Sequence, residues 1–169
     1  MKRLFHGCEY IKEINFVKFN RNNIIDMSFL FCDCFNLINI NLSKIRTNKV
    51  KYMNSMFANC RNIKQLKLSN FNTSNVERMD EMFEGCVLFD LDLSNFNTSN
   101  VTNMNKMFFG CYNLKNLNIS TMEYMFGLCM SLIDLNIANF YIDDNTYVTN
   151  MFSCCSPELV NKIKNKKIN

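Results

Sequence analysis

A right-handed α/β solenoid, with one short helix plus one parallel strand per repeat, is the fold this sequence predicts. Three observations predict it. Residues 68–86 read LSNFNTSNVERMDEMFEGC and residues 93–111 read LSNFNTSNVTNMNKMFFGC, nearly the same phrase 25 residues apart. Cysteines at 8, 34, 60, 86, 111, 129 and 155 fall in one register, which accounts for seven of the nine in the chain. The phrase Met-x-x-Met-Phe-x-x-Cys recurs at Met53/Met56/Phe57/Cys60, Met79/Met82/Phe83/Cys86, Met104/Met107/Phe108/Cys111 and Met122/Met125/Phe126/Cys129. Self-similarity at a period of about 20–50 residues is the mark of a stack of equivalent units.

The register divides the chain into seven repeats, 1–26, 27–52, 53–78, 79–103, 104–121, 122–147 and a partial 148–155. Residues 156–169 follow as a capping helix and basic tail. Within each repeat, Met-x-x-Met-Phe places apolar groups at i, i+3 and i+4, the stripe of a two-turn helix. Ser74-Asn75-Val76-Glu77 has the spacing of a capping box ahead of one such stripe. Gly7, Asp33, Asn59, Gly85 and Gly110 precede ladder cysteines, and these residue types tolerate the left-handed conformation that ends a helix.

Alternation after the cysteine predicts a strand with one face buried, at Ile14/Phe16, Ile40/Leu42, Leu66/Leu68, Leu91/Leu93, Leu117/Ile119 and Leu135/Ile137. Strands recurring in one direction across an intervening segment must pair in parallel. Phe71/Val76 and Phe96/Val101 tuck the return loop into the core, while Asn, Ser and Thr satisfy its turning backbone. A lone repeat buries too little to offset its ordering entropy, so the repeats must stack. The fifth repeat lacks the NFNTSNV loop: only Ser120 and Thr121 separate Ile119 from Met122, so a kink and a weak rung are expected there. In the tail, Ser156, Pro157 and apolar Leu159, Val160 and Ile163 read as a helix closing the core.

The phrase LxxLxLSNFxTSNVxxMxxMFxxC resembles the leucine-rich-repeat-related modules of BspA-like and mycoplasma-type surface proteins, over residues 1–155. The resemblance implies a leucine-rich-repeat-like solenoid, usually displayed outside the cell and engaged in adhesion or protein binding; it implies no particular catalysis or ligand. The start, MKRLFHGCEYIKE, has no apolar run of the secretory type, so no signal peptide is expected in this chain and the compartment stays open. No stretch approaches the ~18 apolar residues of a membrane span.

Chemistry finds little purchase. His6 is the single histidine, so no Cys/His or Ser/His arrangement can recur, and four scattered glycines make no phosphate loop. Metal and cofactor are not expected, because Cys32-x-Cys34 and Cys154-Cys155 stand at opposite ends with no clustered histidines. A calcium site at Asp90, Asp92, Asn116, Asn118 and Asp134 is a weaker reading than a solvated sheet. The ladder cysteines are expected as reduced, buried, apolar-like thiols. Cys32 occupies a slot filled elsewhere by His6, Ala58, Glu84 and Phe109, so it is expected to be exposed and reactive.

The candidate binding face is the outward row of the strands: Glu13, Asn15, Asn39, Asn41, Gln65, Lys67, Asp90, Asp92, Asn116, Asn118, Asp134 and Asn136. A second candidate is an apolar ridge of Phe35, Val87, Phe109, Tyr112 and Met130, with partial burial as the plainer reading. The expected function is a non-catalytic protein-binding repeat module of adhesion or surface-recognition type. An intracellular interaction scaffold is the alternative, and a thiol-dependent or hydrolytic enzyme a remote one. The expected partner is a protein, not nucleic acid, since a net charge of +4 and four tail lysines are weak grounds for the latter. The N-terminal end at Leu4, Phe5, Ile11, Ile14 and Phe16 is expected to be uncapped and covered either by a second copy, through self-association, or by an upstream domain.

Overall fold

The computed structural model describes residues 1–17, 19, 21–118, 134–136, 157, 158 and 161. Five strands are β1 (Glu13–Asn15), β2 (Asn39–Asn41), β3 (Asp90–Asp92), β4 (Asn116–Asn118) and β5 (Asp134–Asn136). All pair in parallel, each with its counterpart in the next repeat: Ile14 faces Ile40, and Leu91, Leu117 and Leu135 stand in one row. The inward residues Ile14 and Leu91 are buried, and their neighbours along the strand are exposed. One strand per repeat does not hold throughout. The rung at Gln65–Lys67 is not a strand, and the sheet divides into β1-β2 and β3-β4-β5. Strands of three residues are tied by so few bonds that one departing rung splits the ladder, although Leu66 keeps its buried place.

The expected helix is absent from the described Met-x-x-Met-Phe-x-x-Cys segments, and tandem turns stand in its place. In the second repeat Leu30 N donates to Met27 O at 3.2 Å and Cys34 N to Phe31 O at 3.2 Å. The third residue of each turn is left-handed, Phe29 at φ 57° and Asp33 at φ 60°, which defines two consecutive type II turns. The amides between them point sideways: Met27, Phe29, Phe31 and Asp33 donate to the carbonyls of Tyr52, Asn54, Met56 and Ala58 at 2.9–3.0 Å. Alternate N–H groups thus close turns or bind the next repeat.

Spacing explains why. Phe5, Phe31, Phe57, Phe83 and Phe108 stack face to face with centroids 5.4–5.8 Å apart. An α-helix with side chains is about 10 Å wide and cannot repeat at that interval. Tandem turns put apolar residues at the same i, i+3, i+4 and i+7 positions, so the sequence pattern is common to both. The proposed capping box dissolves for the same reason: Val76 N closes a turn on Thr73 O, and Ser74 Oγ donates to Asn72 Oδ1 at 2.7 Å. The left-handed residues before the cysteines are as expected, with Gly7, Asp33, Asn59, Gly85 and Gly110 all at φ 59–71°.

One core runs along the stack, with Met27, Met53, Met56, Met79, Met82 and Met107 fully buried beside the phenylalanines. The ladder thiols do more than fill it. Cys34, Cys60, Cys86 and Cys111 each donate Sγ–H to the carbonyl of Phe5, Phe31, Phe57 and Phe83 in the preceding repeat, at 3.0–3.1 Å. The same carbonyls accept the turn amides, so the thiol satisfies a second lone pair in a buried site. The described cysteines are free thiols.

The return loops are knitted by side chains. Thr73 Oγ1 donates to Asn97 O at 2.9 Å and accepts from Asn97 N at 2.8 Å, and Thr47 does the same with Asn72. Thr98 is next in this series, but the fifth repeat has no corresponding loop, and among the described residues Thr98 Oγ1 is buried without a hydrogen-bond partner. A hydroxyl in that state is a desolvation cost, whereas a bonded one is not. Thr98→Val should therefore be neutral or raise stability by up to about 1 kcal/mol, and Thr73→Val should lower it by about 1–2 kcal/mol. Urea denaturation of the two variants checks this, and equal losses would refute it. The expected kink at Ser120–Thr121 lies outside the described residues. At the other end, Phe16 packs on Phe5 and Phe31 at 6.1 and 6.3 Å, and Phe19 on Phe16 at 5.3 Å. Ile14 is buried and Leu4 is 58% exposed, so that end is partly covered by its own chain. Pro157, Glu158 and Asn161 are helical, in the segment where the closing helix is expected.

Candidate functional site

Alternation along short strands fixes which side chains face out. Glu13, Asn15, Asn39, Asn41, Gln65, Lys67, Asp90 and Asp92 are all exposed. Asn116, Asn118, Asp134 and Asn136 extend the same rows by backbone register, Asp90 facing Asn116 and Asn116 facing Asp134. Asn39 Nδ2 donates to Glu13 Oε1 at 2.8 Å, which ties two rungs across the surface. Where the sheet divides, β1, β2 and the third rung line an open cleft of about 800 Å³. Its walls carry Glu13 on one side and Lys64 and Lys67 on the other, with Asn39, Asn41 and Gln65 between. Asp90 and Asp92 stand beyond it, so charge changes sign along the face.

The ridge is less continuous. Phe35, Val87 and Phe109 are half-buried and Tyr112 is 48% exposed, while Met130 lies outside the described residues. Arg61 lies over the Phe35 ring at 5.1 Å and Lys106 over Phe109 at 5.6 Å, so cations cover much of what apolar surface there is. Among the described residues the most exposed large apolar ones, Tyr10 at 89% and Val17 at 70%, carry no mark in the repeat pattern.

Cys32 is not the exposed thiol expected. It is 7% exposed, and its Sγ donates to Asp33 Oδ2 at 3.4 Å. Burial first, and the neighbouring Asp33 carboxylate second, push its pKa up to about 12, away from a reactive thiolate. The reason is the turn geometry: a residue that points outward on a helix instead lies under the adjoining turn, against His6. Burial likewise raises Cys34 to about 11 and lifts Cys60, Cys86 and Cys111 well above the ordinary thiol range.

A stack of near-identical rungs, with a thin parallel sheet on one side and a phenylalanine column inside, is a repeat solenoid of leucine-rich-repeat type. The chain belongs to the family described as "Mycoplasma protein of unknown function, DUF285", matched over residues 1–119. It is similar in structure to a leucine-rich repeat protein from Bacteroides ovatus, with a TM-score of 0.50 and 19% identity. That match covers 83% of this chain and 41% of the other, so this chain spans less than half the length of its structural relative. At that identity the likeness speaks for the fold alone. No curated protein matches the chain. Among the described residues, no helix is long and apolar enough to cross a membrane.

Proposed function

We propose that this chain is a non-catalytic protein-binding module of surface-recognition or adhesion type, and that its partner docks on the strand face across the cleft. The observation that carries the reading is the row of outward polar side chains on backbone fixed by core stacking, interrupted by a cleft of about 800 Å³. Solenoids offer such a surface for recognition because its side chains can vary while the inward residues hold the fold. Membership of a mycoplasma family and the leucine-rich-repeat type of the fold both favour an interaction module over an enzyme. Inside the cleft, Lys64 and Lys67 favour an acidic segment of the partner, and Asp90 and Asp92 a basic one further along.

The test is adhesion of beads coated with the intact chain to host cells, together with protease shaving of intact cells that express it. The expected result is saturable adhesion that falls about tenfold in a variant carrying Gln65→Arg and Lys67→Glu, whose exposed sites leave the melting temperature unchanged. Equal adhesion by parent and variant overturns the docking face. Resistance to shaving in intact cells with cleavage after lysis overturns the surface role in favour of an intracellular scaffold.

A further inference from the structure

Stacking at one repeat per rung brings together three side chains that the sequence holds apart. His6 and Cys32 occupy the same slot of consecutive repeats, and Asp33 follows Cys32 in the left-handed position. One ligand atom from each lies within 4.8 Å of the others. Cys32 Sγ is 3.4 Å from Asp33 Oδ2, and His6 Nδ1 is 3.7 Å from that same oxygen. Nδ1 also lies 3.2 Å from Cys32 O, so the ring is held over the first repeat boundary.

We propose that His6, Cys32 and Asp33 form a three-ligand site for a divalent cation of the zinc class. Imidazole, thiolate and carboxylate are the donors this ion takes, and bond lengths of about 2.0–2.3 Å place tetrahedral ligands roughly 3.3–3.7 Å apart. Two of the three separations already have that value. The mixture of sulfur and nitrogen disfavours calcium and magnesium, which take oxygen.

The surroundings support the same assignment. Asp33 Oδ1 accepts from Asn59 Nδ2 at 2.9 Å, which orients the carboxylate and leaves Oδ2 for the cluster, as outer-shell partners do at metal sites. The His6 and Asp33 side chains are 38% and 31% exposed, whereas Cys32 is 7% exposed, so the ion has an entry path from solvent and a sheltered sulfur at its end. On binding, the Cys32 Sγ–H proton is released to water and a metal–sulfur bond takes its place, while the His6 proton moves from Nδ1 to Nε2 through solvent, so that the Nδ1 lone pair turns to the ion and the contact to Cys32 O is given up, with no change of oxidation state. The fourth position faces outward and is filled by water or by a donor from a docked partner. This site was invisible to spacing rules, because its ligands come from two repeats instead of one Cys-rich loop.

Neighbouring repeats supply well-tolerated replacements. Ala58 occupies the slot of His6 and Cys32, Asn59 that of Asp33, and Gly85 that of Asn59. The experiment titrates the reduced, intact chain with zinc against a chromophoric chelator, and with cobalt by absorbance. The parent should bind one equivalent of each and show a thiolate-to-cobalt charge-transfer band. His6→Ala, Cys32→Ala and Asp33→Asn should each weaken zinc binding by at least about tenfold, with the band lost in Cys32→Ala. Asn59→Gly should weaken binding about tenfold while the band persists. Circular dichroism confirms that each variant is folded, and a melting temperature of the parent that rises with zinc gives a second readout. No band in the parent, or variants that bind as tightly as it does, overturns the proposal, the latter placing any metal on other cysteines.

Discussion

Phe57→Ala should remove about 3–5 kcal/mol of stability and break the stack at its middle. The ring is fully buried, and it stacks on Phe31 at 5.4 Å and on Phe83 at 5.8 Å, with interplanar angles of 17° and 2°. Three contributions vanish together: the transfer of a large apolar side chain, the dispersion attraction of the atoms that would line the cavity, and about 0.5–1.5 kcal/mol for each stacked pair. The loss is concentrated by architecture. In a stack whose stability is a sum of rungs and nearest-neighbour interfaces, one missing ring weakens two interfaces. Urea denaturation should show a large drop in midpoint, with the single transition broadened or divided. Phe109→Ala, on a half-buried ring at the surface, should cost far less. Similar midpoints for the two variants would show that the phenylalanine column is not what holds the repeats together.

Gly85→Ala is expected to cost about 2–3 kcal/mol, and Gly7→Ala about 1–2 kcal/mol. Both residues are left-handed, at φ 66° and 71°, and both carry the strain of an added Cβ in that conformation. Only Gly85 has a neighbour in the way: a Cβ there would lie 2.7 Å from Asn59 Oδ1, whereas at Gly7 nothing lies within 4 Å. Asn59 cannot swing aside freely, because its amide donates to Asp33, and losing that bond adds about 0.5–1.5 kcal/mol. Thermal melts of the two variants give the comparison. A loss at Gly7 equal to or larger than that at Gly85 would mean that the inter-repeat contact is energetically silent.

The repeat and the inward residues were legible in the sequence because burial writes the same letters at each described rung: Phe31, Phe57, Phe83 and Phe108 are all fully buried. The left-handed residue before Cys8, Cys34, Cys60, Cys86 and Cys111 was legible too, because Gly, Asn and Asp advertise it. Its partner three residues into the phrase was not, since Arg3, Phe29, Ser55, Glu81 and Lys106 adopt φ 53–59° without being residues that favour it. Had that second left-handed position been visible, the helix would have been ruled out, for no helix turns left twice in six residues. The exposure of Glu13, Asn15, Asn39, Asn41, Gln65, Lys67, Asp90 and Asp92 followed from alternation alone. The fate of Cys32 did not, because whether an outward slot is covered depends on the repeat stacked beside it. For the same reason nothing in the local pattern joined His6 to Asp33.

The thiol column alters what nine cysteines say about habitat. Cysteine count is ordinarily a compartment marker, because oxidising surroundings are needed to make a disulfide fold and reducing ones to keep thiols intact. Here each described ladder sulfur from Cys34 to Cys111 works as a hydrogen-bond donor to a phenylalanine carbonyl, buried and held in its protonated form. The described rungs carry no disulfide for an oxidant to make, and they offer an oxidant little thiolate to attack. The described thiol column is therefore compatible with cytosol or with the outside of the cell, and does not mark either.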